Sequence, residues 1–193
     1  MWRPVKTGRF APLESLAVKI FEIVALSASG HSLSRSSLPA VDLRAAELID
    51  DLDSIVRSGA DRLLLSDCRG PTDLQKCDVL LSVTEARAGR PDGTISIVAS
   101  AADSAAGLLK LQGLGAKSRR LAGLTWNRTG FCADLGCAPD SAVAEQARIQ
   151  VVIAARAAGV EAYDSVAGEP SQEQVQQIAG FGFSGYAIGI GDK

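Results

Sequence analysis

A-R-I-Q-V-V-I-A-A-R-A-A-G-V-E-A-Y-D, Ala147 to Asp164, holds a helix, a stop and a strand in eighteen consecutive residues. Val143, Ala147, Ile149, Val152 and Ile153 supply apolar surface to a helix expected from about Ser141 to Ala158, which Gly159 ends. V-E-A-Y-D then reads as a buried strand. The same alternation extends in both directions. Ala45, Leu48, Ile49, Leu52, Ile55 and Val56 recur at helical spacing before Gly59, and R-L-L-L-S-D follows as a strand from Arg62. Thr72 with Gln75 has the spacing of a capping box opening the next helix, through Leu74, Val79, Leu80 and Val83. T-I-S-I-V-A-S from Thr94 and L-A-G-L-T-W from Leu121 are further strands, with a helix carrying Leu108, Leu109 and Leu111 between them. Downstream, Ser171 with Gln174 caps a last helix before Y-A-I-G-I-G from Tyr186.

The strand starts, 62, 94, 121, 160 and 186, are 32, 27, 39 and 26 residues apart, which is the length of a βα unit. Such repeats build a parallel sheet covered by helices, either a closed (β/α)8 barrel or an open doubly wound sheet. In both, ligands sit at the carboxyl ends of the strands. The residues there are Ser66, Asp67 and Arg69; Ser100 and Asp103; Asn127 and Arg128; Asp164 and Ser165; and Asp192.

Composition narrows the function classes. The 193 residues are 47% hydrophobic and carry a net charge of −2, with no basic stripe for nucleic acid or an anionic membrane surface. The uncharged stretch from Ile23 to Ser34 is short of the roughly 20 apolar residues of a spanning helix. Glu14, Lys19 and Glu22 interrupt any signal-peptide core, so a cytoplasmic location is the expectation. Cys68, Cys77, Cys132 and Cys137 lack zinc or disulfide-framework spacing and read as reduced packing thiols. The one histidine, His31, leaves acid–base work to carboxylates, lysines, tyrosines or a metal-bound water.

Two phosphate-like motifs fail on context. Gly180, Gly182 and Gly185 spell G-x-G-x-x-G, but between a helix and a strand, the reverse of the order that aims a helix N-terminus at a pyrophosphate. G-L-G-A-K-S from Gly113 has the wrong spacing and the same wrong placement. Asp67, Asp103 and Asp164 could together hold a hard cation such as Mg2+. In the simpler alternative Asp103 is a helix N-cap and Asp164 a solvated loop residue.

Several segments are similar to the citrate lyase beta-subunit-like group of the HpcH/HpaI aldolases. They are G-A-D-R-L-L-L at Gly59–Leu65, D-S-A-A-G-L-L at Asp103–Leu109, A-D-L-G at Ala133–Gly136, and the Ala147–Asp164 stretch, which is in register with the family's A-R-x-x-V-V-x-A-A-R-A-A-G-x-x-A-x-D. The resemblance implies a TIM-barrel-derived α/β fold, oligomeric in many relatives, and Mg2+-dependent cleavage or formation of carbon–carbon bonds, often in acyl-CoA thioesters. It places Asp103 where the family has a metal-binding glutamate. The departures are as specific. The second metal carboxylate falls on Gly130, the family's lysine in V-L-P-K-V falls on Asp67, and no counterpart of the substrate arginine in V-R-V-N is found.

The expectation is a divergent lyase of weak activity acting on a small carboxylic acid or CoA thioester. Asp103 would be a ligand to a weakened Mg2+ site, and Asp67, Asn127 and Arg128 the substrate-binding residues. The alternative is a catalytically dead binding or assembly subunit, pairing with itself or with a full-length paralogue; a third is an open-sheet protein resembling the family only locally. A (β/α)8 domain takes about 250 residues. The expected organisation is therefore a divergent segment, 1–40, and a barrel-like domain, 41–193, forming an incomplete barrel whose edges are covered by Met1–Ala40 or by a partner chain.

Overall fold

The computed structural model describes residues 20–26 and 32–189. His31 and Asp192 lie outside them. Strands β1 (Ile20–Leu26) and β2 (Ser32–Asp42) form an antiparallel pair, after which the chain alternates: α1 (Leu48–Ser58), β3 (Arg62–Ser66), α2 (Pro71–Arg87), β4 (Ser96–Ser100) and the short α3 (Ala105–Leu108). A 3-10 turn (Leu111–Gly113) leads to β5 (Leu121–Thr125), α4 (Arg128–Leu135), α5 (Ala142–Ala158), β6 (Glu161–Val166), α6 (Gln172–Gly180) and β7 (Gly185–Ile188). Strands β2 to β7 pair in parallel, and β1 closes the ring antiparallel to both β2 and β7. The sheet is thus a closed seven-stranded barrel rather than an open one. It has fewer strands than eight, as the length argues, but both edges are paired, by strands from the segment expected to cover them. β2 crosses residue 40, so the 1–40 segment is continuous with the barrel at that point.

Two hydrophobic clusters follow from the alternation of side chains along each strand. Ile23, Leu38, Ala40, Leu64, Val98, Tyr163 and Ala187 fill the barrel interior. The other face of the strands packs under the helices, for example Leu63, Leu65, Ile97 and Leu124 against Leu52, Ile55, Leu74, Leu81 and Val151. Room inside is tight: a Cβ on Gly123 would lie 2.8 Å from the Tyr163 ring. Below the barrel, the buried Arg120 guanidinium bonds Glu85, Asp78, Asp92 and Ser82, and Glu85 also accepts the N–H groups of Gly93 and Ile95. Among the described residues no helix is long and apolar enough to cross a membrane.

Most helix signals hold. Gly59 and Gly159 end α1 and α5 in left-handed conformation, Ser141 caps α5, and Ser171 with Gln174 makes a full capping box on α6. Thr72 is a correction. The cap lies two residues earlier, at Gly70 without a side-chain bond, and α2 opens on Pro71, because proline's fixed φ and missing N–H suit the first helical position. Helix α4 falls in a segment that reads as loop.

Candidate functional site

The strand ends converge on one face of the barrel, where Asp103 ties three of them together. Its Oδ1 accepts from the Ser100 hydroxyl (2.6 Å) and the Asn127 backbone N–H (2.8 Å), and its Oδ2 from the Asp67 N–H (3.2 Å). Burial pushes its pKa up from 3.8 to about 6, against the opposing pull of the Ser100 and Asn127 bonds, with the charge of Asp67 adding to the rise. Asp103 does not cap α3; Ser104 does, accepting from the Gly107 N–H. Asp67 is the one non-glycine residue at positive φ (46°) among the described residues, a strained conformation of the kind found at functional sites. Its carboxylate pairs with Arg69 (2.6 Å), and its carbonyl accepts from Arg44 (3.1 Å).

Asn127 is the N-cap of α4, its Oδ1 accepting the Gly130 N–H at 2.8 Å. That cap occupies the space a side chain at 130 would need, since a Cβ there would lie 2.9 Å from Asn127 Nδ2. Asp134 is committed as well, accepting the Ala105 N–H at 2.9 Å. A hard cation needs several carboxylate or carbonyl oxygens free to converge. Here the Asp103 oxygens are held by three internal donors, residue 130 brings no ligand, and no group of three His, Cys, Asp or Glu suited to a metal occurs among the described residues. The residues present do not fit Mg2+.

Asp164 lies on β6 and is buried, not solvated. Its Oδ1 accepts from Trp126 Nε1 and the Ser165 N–H (both 2.9 Å), its Oδ2 from Arg148 Nε (2.8 Å) and Nη2 (2.7 Å). Phe181 and Phe183 cover the Arg148 guanidinium at 4.1 and 5.5 Å. Arg128 is different. It sits 5.3 Å over the Trp126 ring, its Nη2 stops 3.8 Å from Asp164, and its buried Nε–H has no acceptor. It lines a cavity of about 470 Å3 with Thr129, Arg148, Asp164, Ser165 and Gln174. The site therefore divides: Asp67, Asp103 and Asn127 form a closed clasp, and Arg128 faces a separate cavity with Asp164. A larger groove, about 540 Å3, lies at the opposite end near Arg62 and Glu161, where barrels of this kind place stability rather than chemistry.

Residues 39–193 match the profile of the HpcH/HpaI aldolase/citrate lyase family. The chain belongs to that family. It is 25% identical over 205 residues to the citrate lyase subunit beta of Leuconostoc mesenteroides, covering 95% of this chain and 68% of that one. With the Haemophilus influenzae citrate lyase subunit beta the identity is 28% over 126 residues, 64% of this chain and 43% of that one. Among solved structures, RipC from Yersinia pestis superposes with a TM-score of 0.64 at 23% identity (77% and 68% covered). A Haloferax volcanii malate synthase magnesium/glyoxylate complex does so at 0.61 and 16% (80% and 51% covered). These structures share the fold.

Within this family fold, Arg148, which lines the cavity, and Trp126, which donates to Asp164 behind it, were not among the sequence candidates. Arg148 left a legible signal, a charged residue inside the apolar stretch of α5 that only a buried partner such as Asp164 could accommodate.

Proposed function

We propose that this protein is a citrate lyase beta-like member of its family that binds a small carboxylic acid, free or as a CoA thioester, with residual carbon–carbon lyase activity at most. The buried Arg128 Nε–H, without an acceptor on the wall of the 470 Å3 cavity, carries the reading. An unsatisfied buried donor is costly, and a carboxylate oxygen is the acceptor that best relieves it. Arg148 is already neutralised by Asp164, so it shapes the cavity while Arg128 supplies the free charge. In the family Mg2+ provides the Lewis acid. Here the donor set does not support that site, so any enolate charge would fall to the Arg128 guanidinium.

Gly130 favours the limiting form of this reading, a subunit that binds without turnover and docks on a second copy or a full-length paralogue. Titration calorimetry with oxaloacetate tests the proposal. Arg128→Ala should weaken binding at least tenfold, and unchanged affinity would remove Arg128 from the site. Mg2+ binding that is tight, that enhances oxaloacetate binding, and that Asp103→Ala abolishes would restore the metal-dependent lyase.

A further inference from the structure

The C-terminal end of α4 brings two thiols together. Gly136 takes the left-handed conformation (φ 68°), its N–H and that of Cys137 both donate to the Cys132 carbonyl, and the Cys137 bond (3.0 Å) is the long-range bond of a Schellman turn. That turn sets the side chain of the residue just past the left-handed position against the one in the last helical turn, here Cys137 against Cys132. The proximity registers in the thiol itself: burial foremost, then the neighbouring Cys137, raises the pKa of Cys132, and the charge of Arg128 one turn earlier opposes the rise. Cys132 is buried and Cys137 partly exposed, so a solution oxidant meets Cys137 first. The other two cysteines differ. Cys68 and Cys77 are both buried, so neither offers an exposed thiol where a solution oxidant could start, and burial pushes them up to about 11 and about 12.

We propose that Cys132 and Cys137 are a redox-active dithiol that closes to an intramolecular disulfide on exposure to hydrogen peroxide. The Cys137 thiolate attacks one peroxide oxygen, the O–O bond breaks, and the departing hydroxide takes up a proton as water, leaving a sulfenic acid. The Cys132 thiolate then attacks that sulfur and forms the S–S bond. The hydroxyl leaves as a second water. Two thiols lose two electrons and two protons, and one peroxide accepts them.

The test is hydrogen peroxide treatment of the intact chain, then denaturation, maleimide labelling and mass spectrometry. Wild type should lose two of its four labels, both from the peptides bearing residues 132 and 137, and dithiothreitol should restore them. Cys132→Ser should stop at a sulfenic acid on Cys137 that dimedone traps. Four labels surviving peroxide, label loss shared with Cys68 or Cys77, or no dimedone adduct in Cys132→Ser would overturn the proposal. Should that variant fail to fold, the wild-type peptide map alone decides.

Discussion

Asp103 shows how one carboxylate can hold a site together and still oppose folding. It accepts three hydrogen bonds, yet burial raises its pKa to about 6. Between the unfolded value near 3.8 and about 6, the folded chain binds the proton more tightly than the unfolded chain. The stability Asp103 contributes is therefore complete below about pH 4 and lost as the pH rises through 6, a difference on the order of 3 kcal/mol. Urea midpoints from pH 4 to 7 should fall more steeply in wild type than in Asp103→Asn. Parallel curves would mean that the group titrates normally. Arg120 makes the opposite kind of prediction. With the fully buried Glu85 as its partner, Arg120→Met strips the charge from one side only and should cost about 3–5 kcal/mol in denaturant unfolding. A double variant, Arg120→Met with Glu85→Leu, should recover much of that loss, because the stranded carboxylate is gone.

At the scale of elements, β5 and α4 carry the functional face, β5 relying on a residue without a side chain and α4 on its capping amide. Gly123 leaves room inside the barrel for Tyr163, and Gly123→Ala should destabilise by about 1–3 kcal/mol in a thermal melt, since the ring, bonded to Glu161 and Arg62, has little freedom to move. Asn127→Ala should cost about 1 kcal/mol through the lost cap, and should also weaken oxaloacetate binding by tilting the first turn that carries Arg128. A cavity affinity unchanged by that substitution would uncouple the cap from the site. The elements legible in the sequence were those with repeated apolar spacing: β3 through β6 lie close to where their runs predict, and α5 runs from its Ser141 cap to its Gly159 stop. Helix α4 was not legible. Its eight residues carry a glycine and no apolar stripe, and what starts it is Asn127, whose capping role depends on Asp103 holding its N–H. The same reasoning explains Asp164. Its burial rests on Trp126, just past β5, and Arg148 on α5, both distant in sequence, so its place at the end of a strand left a solvated loop position open.

For the whole molecule, the deciding feature is how seven strands close. A parallel sheet of β2 to β7 would expose the outer edge of β2 and the outer edge of β7, both with unpaired backbone groups. One antiparallel strand resolves both, because β1 pairs with β2 over Ile20–Leu26 and with β7 over Glu22–Ala25. Among its described side chains, Ile23 enters the interior, packed with Leu38, Tyr163 and Ala187. β1 has no helix after it, and β2, although α1 follows it, is Ser-rich with Pro39 inside the strand and lacks an apolar run, which is why the repeat reading began at residue 62. Closure by a single strand predicts a specific weakness. Ile23→Asp buries an unpaired charge in the barrel interior, and ejecting β1 is the change that relieves it. The two bared edges then favour pairing between chains over refolding. Size-exclusion chromatography with light scattering should show Ile23→Asp shifting to concentration-dependent aggregates, whereas Ile23→Val, which keeps the interior apolar, should elute as wild type. If Ile23→Asp elutes as wild type with a small loss of stability, β1 does not close the barrel.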